Sequence, residues 1–323
     1  MNVTYIIGNG FDLNLGLKTG YQAFYDYYIE EPSPNAHVEL LKDTIKQEGY
    51  KLWSDLEVEL GKISAKYKKV EDFIVALEDI SDHLRKYITG INNDVQIESY
   101  DTKRFRGDLC YPSKYLVAAD RTNLKTFCNK FSSSWSVNII SFNYTDTINR
   151  LLANVDSKSG TQIGANEFNS IVTVGPIQYV HGRYDDTILV GVNDNEQIEK
   201  TEFRNNVDLV EMFVKPKANN AIGELTDNKC NALIKASQLI CIFGHSMGKT
   251  DNIWWERIKE NLTTRDCRLI IFVYNDKINI KHQKFRRLTI KRELMAELGW
   301  TDSIASKVYI GLNTDIFNLK RSL

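Results

Sequence analysis

Residues 5–19 of the chain read YIIGNGFDLNLGLKT, and this stretch decides the fold. The three apolar residues at 5–7 are typical of a buried strand, and Gly8 and Gly10 follow at once. Aromatic side chains at helical spacing begin at Tyr21. A strand, a glycine turn and a helix in this order predict a nucleotide site, because glycines let phosphates approach the backbone and a helix N-terminus offers unpaired N–H groups.

The glycine motif is incomplete. Leu13 stands where a full G-x-G-x-x-G fingerprint has its third glycine. The same residues are therefore also compatible with a strand-to-helix turn that binds no ligand, and the rest of the chain has to distinguish the two interpretations.

The composition is that of a globular protein without a preference for polyanions. The chain has 323 residues and a formal net charge of −1, so we expect no nucleic-acid partner. There is no apolar run of about 18 residues and no basic stretch followed by an apolar core at the N-terminus. We therefore expect a cytoplasmic protein with no membrane partner. Five scattered cysteines without a C-x-x-C pair indicate reduced thiols and no metal.

Short apolar runs recur along the chain and predict the strands of one sheet. Most of these runs are continuous rather than alternating, as expected for a mostly parallel sheet that is covered on both faces. We therefore predict an α/β fold. The predicted strands are Val3–Ile7, Val137–Phe142, Ile171–Val174, Tyr179–Val180, Ile188–Val192, Leu239–Phe243, Leu269–Tyr274 and Val308–Ile310.

A long helical segment separates the first two predicted strands. Between residues 20 and 130 the apolar residues recur at helical spacing, as at Phe73, Leu77 and Ile80. We predict a large helical insertion or cap at 21–130, and a nucleotide-binding domain that combines 1–20 with 131–323.

Polar clusters follow five of the predicted strands. Ligands bind at the carboxyl ends of the strands in an open parallel sheet, so these clusters are candidate site segments. Two of them contain side chains suited to catalysis, Asn143 and His181. Turns are also rich in Asn, Asp, Gly and Ser, but five clusters that each follow an apolar run favour a shared site. The clusters are 8–12, 141–146, 181–182, 191–194 and 244–251.

The fifth cluster also fits a serine hydrolase motif. Residues 244–248 read GHSMG, which matches the G-x-S-x-G nucleophile elbow. That arrangement needs an acid and a histidine downstream, where His282 is the one histidine left. Asp251 is predicted to cap a helix, which places the helix start beyond the serine. A Ser-dependent α/β-hydrolase that uses Gly244, Ser246 and Gly248 stays an alternative.

The order of these motifs resembles the AbiH family of bacterial phage abortive-infection proteins. The resemblance spans nearly the whole chain and rests on GNGFDL at 8–13, SFNYT at 141–145, VHG at 180–182 and FGHS at 243–246, with Asp251 behind it. The sheet and its loops, without the helices of 20–130, also resemble the wider sirtuin-like superfamily. GLK at 16–18 replaces the G-I-P of that superfamily, and its four-cysteine zinc module has no counterpart in this sequence.

The resemblance implies a Rossmann-like, sirtuin-like fold and an NAD-type ligand. On the matching positions, Asn143 would position the ribose or a water and His181 would act as the general base. The residues implied to contact the dinucleotide are Gly8, Asn9, Gly10, Asp12 and Thr19, with Gly244 and Ser246 lining the adenosine side and Asp251 nearby.

The function implied is that of an antiphage abortive-infection effector that hydrolyses NAD, as its substrate, to nicotinamide and ADP-ribose. Histidine suits the role of base because it titrates close to working pH, and asparagine orients a water without adding charge. A nucleotide-binding sensor without turnover is the second interpretation. A phage-derived component and assembly into a homo-oligomer are the expected triggers.

Three further features have simpler interpretations. Lys215 falls in a long loop and is predicted to be solvated. His245 is predicted to be a packing residue of its loop, since it directly precedes Ser246. The stretch Lys277–Arg292 carries seven basic residues interleaved with apolar ones, which is typical of an amphipathic helix with a solvated face.

Overall fold

The computed structural model describes residues 1–48, 56–131, 133–153, 161–223, 225–247 and 251–320. Within these ranges the framework is one sheet of seven strands. The strands are β1 (Asn2–Ile7), β2 (Trp135–Ser141), β3 (Gln162–Ala165), β4 (Ile171–Tyr179), β5 (Leu239–Phe243), β6 (Arg268–Val273) and β7 (Val308–Leu312).

The strand order is β3-β4-β2-β1-β5-β6-β7, and every pairing is parallel except that of β3 with β4. The chain leaves the central β1 first toward β2 and β4 and later toward β5, β6 and β7, which is the order of a doubly wound sheet. The switch point, where ligands bind in such sheets, therefore lies at the carboxyl ends of β1 and β5. The predicted mostly parallel α/β sheet is confirmed. Its sirtuin-like, Rossmann-like assignment stays a prediction.

The structure differs from the predicted strands in three places. Residues 188–192 form two isolated bridges rather than a strand. The runs at 171–174 and 179–180 belong to one strand, β4, because the pairing with β2 shifts register between Val137 and Ile139 and so accommodates Pro176. The short edge strand β3 was not predicted, since Ile163 is its one buried residue.

Thirteen α-helices are present in the described part of the chain besides short 3-10 turns, and none of the helices there is both long and apolar enough to cross a membrane. They are α1 (Gly10–Leu15), α2 (Tyr21–Glu30), α3 (Ala36–Glu48), α4 (Leu56–Ile63), α5 (Val70–Asp94), α6 (Thr102–Cys110), α7 (Ala118–Cys128), α8 (Thr147–Leu152), α9 (Val207–Phe213), α10 (Lys215–Ala221), α11 (Thr226–Ala236), α12 (Asn252–Thr264) and α13 (Arg286–Glu297).

The sheet is covered on both faces. Alternate residues of a strand point to opposite faces, and in β1 this places Tyr5 in a core with Phe105 of α6. Ile6 enters the opposite core, which it shares with Ile234 of α11 and Ile258 of α12. Burial on both sides explains why the central strands are continuous apolar runs.

The helices between β1 and β2 divide between two cores. Helices α2–α5, which we call the cap, pack with residues 188–214 in a core that includes Phe24, Phe73 and Phe213. Helices α6 and α7 belong to the sheet core instead, and the Tyr5 hydroxyl donates to the carbonyls of Asp108 and Leu109 at 3.1 and 3.0 Å. The domain boundaries at 21 and 130 stay a prediction.

The turn after β1 and the loop after β5 touch through their backbones. The Gly10 N–H donates to the Gly244 carbonyl at 2.7 Å, and the Gly8 N–H donates to the Phe243 carbonyl at 2.9 Å. A Cβ on Gly10 would lie 2.6 Å from the Gly244 Cα. Gly244 has a φ of +66°, and a Cβ there would lie 2.6 Å from the Phe11 nitrogen. Glycine is therefore required on both sides of this contact, which joins two strand ends at the switch point.

Gly244→Ala is expected to lower the free energy of unfolding by about 2–4 kcal/mol, because its Cβ overlaps backbone and occupies a left-handed conformation. Gly90→Ala is the matched control. Gly90 is exposed inside α5 with no atom within 4 Å of an added Cβ, so alanine is expected to raise stability by about 0.5–1 kcal/mol. Urea unfolding measures the free energy of unfolding of both variants. A Gly244→Ala variant as stable as the native chain would contradict the close backbone contact.

Candidate active site

The carboxyl ends of β1, β2, β4 and β5 lie at one edge of the sheet, which we call the rim. The residues that follow these strands bring Asp12, Asn143, His181 and His245 to it. Strand β2 pairs with β4 through the partners Ser141 and Tyr179. Asn143 follows Ser141 by two residues, and His181 follows Tyr179 by two residues. The two side chains therefore start from neighbouring strands at the same height of the sheet, and both are buried.

Asp251 is the centre of a buried polar cluster on the rim. Its carboxylate lies 3.6 Å from His181 Nε2, 3.4 Å from His245 Nε2 and 3.6 Å from Lys215 Nζ. The Met247 N–H donates to His245 Nδ1 at 2.9 Å, so in the neutral ring the proton resides on Nε2, which faces Asp251. One carboxylate thus faces two imidazoles and an ammonium group.

Lys215 continues the cluster into the cap. Its Nζ lies 2.5 Å from Glu57 Oε2, and the two side chains are 7 % and 6 % exposed. Glu57 belongs to α4, and its Oε1 accepts a long hydrogen bond of 3.5 Å from the Gly191 N–H. The prediction that Lys215 is solvated is wrong, because this lysine is buried between two carboxylates.

Aromatic rings enclose the two histidines. The Phe142 ring stands edge-on to His181 and His245 at centroid distances of 5.2 and 4.5 Å, and Trp255 lies 4.7 Å from His245. Burial and, after it, the charge of Lys215 lower the pKa of His181 to about 4. His181 is therefore a neutral imidazole at pH 7, with a ring nitrogen able to accept a proton, but it is a weaker base than the histidine of ordinary pKa expected from the sequence.

Asp251 remains ionised in this environment. Burial alone would raise its pKa, but the Lys215 charge and the N–H groups of the two histidines hold that pKa well below its usual range. Among the described residues, neither Asp251 Oδ1 nor His181 Nε2 has a hydrogen-bond partner, since 3.6 Å exceeds hydrogen-bond length. Asp251 and the neutral His181 therefore lie side by side in a buried site without a direct hydrogen bond.

A second group on the rim surrounds Asp12. The Thr145 hydroxyl donates to Asp12 Oδ2 at 2.7 Å, while Asp12 Oδ1 has no partner among the described residues. Burial raises the pKa of Asp12 to about 7, although Thr145 and the nearby Asn143 favour the ionised form. Both polar atoms of the Asn143 side chain are buried without a hydrogen-bond partner in the described chain. Buried polar groups in native proteins are nearly always paired, so this amide is suited to a ligand or a water.

One comparison with known protein families agrees with the order of the sequence motifs. The chain matches the family described as bacteriophage abortive infection AbiH over residues 4–273. The chain belongs to this AbiH family. Its description indicates a role in phage abortive infection, as the sequence motifs predicted. No curated protein matches the chain.

The residues expected to cradle a dinucleotide in this AbiH protein are engaged with each other. The N–H groups of Gly8 and Gly10 donate to carbonyls of the β5 segment, and their missing side chains make room for Gly244 and His245. Asn9 and Thr19 form a reciprocal pair: the Thr19 hydroxyl donates to Asn9 Oδ1 at 2.6 Å and Asn9 Nδ2 donates to the Thr19 carbonyl at 3.0 Å. Their role in ligand binding stays a prediction.

The geometry of Ser246 does not resemble a nucleophile elbow. Its side chain is exposed, and no hydrogen bond joins it to a histidine in the described part of the chain. The positive φ of 57° falls on Met247 rather than on the serine, and α12 begins only at Asn252. Asp251 occupies the N-cap position of α12, as predicted, although its side chain makes no cap hydrogen bond. Gly248 of the motif lies outside the described residues.

Sequence reasoning missed Glu57 and underrated Lys215 and His245. Glu57 carries no sequence signal, because it is one of several glutamates in a helical segment. Lys215 has a weak signal, since it stands between Val214 and Pro216 in a segment that bridges back to Val192. His245 was expected to pack, and it does so against Phe142 and Trp255, but it also faces Asp251.

Asp12→Asn is expected to become more stable relative to the native chain as the pH rises. The folded pKa of Asp12, about 7, lies above the unfolded value of about 3.9. The native chain therefore holds an extra proton between these values and loses stability as the pH increases through that window. Asparagine has no proton to lose. The difference in free energy of unfolding between the variant and the native chain should therefore grow by about 1.4 kcal/mol per pH unit in that window.

Urea unfolding at several pH values between 4 and 8 measures this difference. Asp43→Asn, at an exposed position of α3, is the control and should differ from the native chain by a nearly constant amount. A constant difference for Asp12→Asn as well would contradict the raised pKa of Asp12.

Proposed function

We propose that this AbiH protein is an abortive-infection effector that hydrolyses NAD to nicotinamide and ADP-ribose. The observation that carries the proposal is the pair on the rim: an enclosed amide, Asn143, with both polar atoms unpaired among the described residues, and a neutral imidazole, His181, at the same level of the neighbouring strand. These two side chains suit water attack on an N-glycosidic bond, because one can orient the water and the other can accept a proton.

In this reaction His181 and Asn143 act on the water and on the ribose. The bond between the ribose C1′ and the nicotinamide nitrogen breaks, and nicotinamide leaves with the electron pair. A water oxygen bonds to C1′ and transfers one proton to His181, which later releases it to solvent. Asn143 holds the water or a ribose hydroxyl through its carbonyl or amide group. Charge develops on the ribose as the bond breaks, and a carboxylate nearby stabilises it.

Asp12 is suited to supply that carboxylate. Its pKa of about 7 reflects burial without a cationic partner. A positively charged nicotinamide riboside in the same enclosure would favour the ionised form, because an opposite charge within a few ångström lowers the pKa of a carboxyl group. Asp12 Oδ1, which has no partner in the described chain, is the atom available for this interaction.

The site is closed on one side of His181. The cavity beside it measures about 10 Å³, which is room for about one water. Its lining includes His181, Asn193, Lys215, Asn219, Asp227 and Trp254. A dinucleotide can approach from this side only after the lining segments separate, so we propose that a phage-derived component or self-association activates the enzyme.

The test is nicotinamide release from NAD by the purified chain, alone and with extract of phage-infected cells. His181→Gln and Asn143→Ala are expected to lower the rate at least about 100-fold, the usual contribution of a positioned base. His282→Gln, at an exposed histidine, is the matched control and should retain the native rate.

Other outcomes separate the alternatives. Native rates in both rim variants would contradict the assigned roles. Calorimetric binding of NAD without nicotinamide release under either condition would identify a nucleotide sensor. Labelling by a fluorophosphonate that is lost in Ser246→Ala would identify a serine hydrolase instead.

A further inference from the structure

Lys215 lies between two buried carboxylates that belong to different parts of the fold. Its Nζ lies 2.5 Å from Glu57 Oε2 of the cap and 3.6 Å from Asp251 Oδ1 at the start of α12. The Lys215 side chain is 7 % exposed, and its partners are 6 % and 12 % exposed. A lysine so enclosed remains charged only when it is paired with acids at close range, and both acids are present.

The same Asp251 oxygen faces the proposed base. Oδ1 lies 3.6 Å from Lys215 Nζ and 3.6 Å from His181 Nε2, while Oδ2 is 3.4 Å from His245 Nε2. The carboxylate orientation is thus set from three directions. With Nε2 turned toward Asp251, Nδ1 is the His181 nitrogen left to accept a proton.

We propose that Lys215, held in place by Glu57 of the cap, is a positioning residue that fixes the Asp251 carboxylate against His181 and keeps that histidine an uncharged base. The inference rests on the proposed function of His181 in NAD hydrolysis. The series Glu57–Lys215–Asp251–His181 connects the cap to the proposed base, because its first contact joins Glu57 of α4 to Lys215 of α10.

The groups around His181 determine whether loss of the Lys215 charge raises or lowers the pKa of this histidine. Asp251 favours the protonated imidazole, whereas burial, Lys215 and His245 disfavour it. Phe142 and Tyr144 present rings at 5.2 and 6.3 Å, and Asp227, Asn193 and Asn219 face the small cavity on the far side. Loss of the Lys215 charge removes repulsion and leaves the attraction of Asp251, so the pKa of His181 should rise.

The experiment uses isotope-labelled histidine in the full chain and follows each imidazole by NMR as the pH changes, with His181→Gln to assign the signal. In the native chain His181 is expected to titrate near pH 4. In Lys215→Met its midpoint should move toward the ordinary value of about 6.5. Lys215→Arg, which keeps the charge, should retain the native midpoint.

A second variant tests whether misfolding of Lys215→Met causes the change in the His181 titration. Lys215→Met alone leaves two buried carboxylates without their cation, so the double variant Glu57→Gln with Lys215→Met removes the pair together and should show the same upward movement. Lys46→Met, at an exposed ion pair with Asp43, is the control and should leave His181 unchanged. An unchanged His181 midpoint in the double variant would overturn the proposal.

Activity supplies an independent result. The acid limb of kcat for nicotinamide release should move to higher pH in both Lys215→Met variants, with KM changed less than about three-fold, because the charge affects the base rather than binding. If the native chain releases no nicotinamide, the proposed function fails, yet the NMR titration still decides whether Lys215 sets the state of His181.

Discussion

Burying an ionised carboxylate is costly unless opposite charge and hydrogen-bond donors surround it. Asp251 meets this requirement with His181, His245 and Lys215, which come from the ends of β4 and β5 and from the start of α10. These segments are far apart in the sequence, and on the rim they meet around this one charge. Lys215 also pairs with Glu57 of α4, so the group of paired charges extends into the cap.

The sheet was predictable because its physical cause is visible in local sequence. Strands that are covered on both faces must be apolar at nearly every position, as in β1 and β5, and polar residues must then follow at their ends. The exceptions have equally local reasons. Strand β3 buries little beyond Ile163, and the apolar run at 188–192 is buried against the cap rather than paired in the sheet.

The rim was predictable only in part. Parallel topology brings the ends of neighbouring strands together, which is why Asn143 and His181 are found at one level. A glycine in the sequence, however, indicates a close contact with its backbone but does not identify the contacting group. Gly8 and Gly10 were expected to face phosphates, and their neighbour is the backbone of Gly244. Lys215 and Glu57 pair across a long stretch of chain, and no pattern in a single sequence reveals such a partnership.

The central position of β1 has a consequence for how the molecule forms. β1 is synthesised before both of its register partners, β2 and then β5, which begins at Leu239. At about 5–20 residues per second, translation needs roughly ten seconds or more to produce that second partner. Until then one edge of β1 has no strand to pair with and Gly10 has no counterpart. A translation product that ends before β5 therefore lacks the rim, which can assemble only after residues 239–251 have left the ribosome.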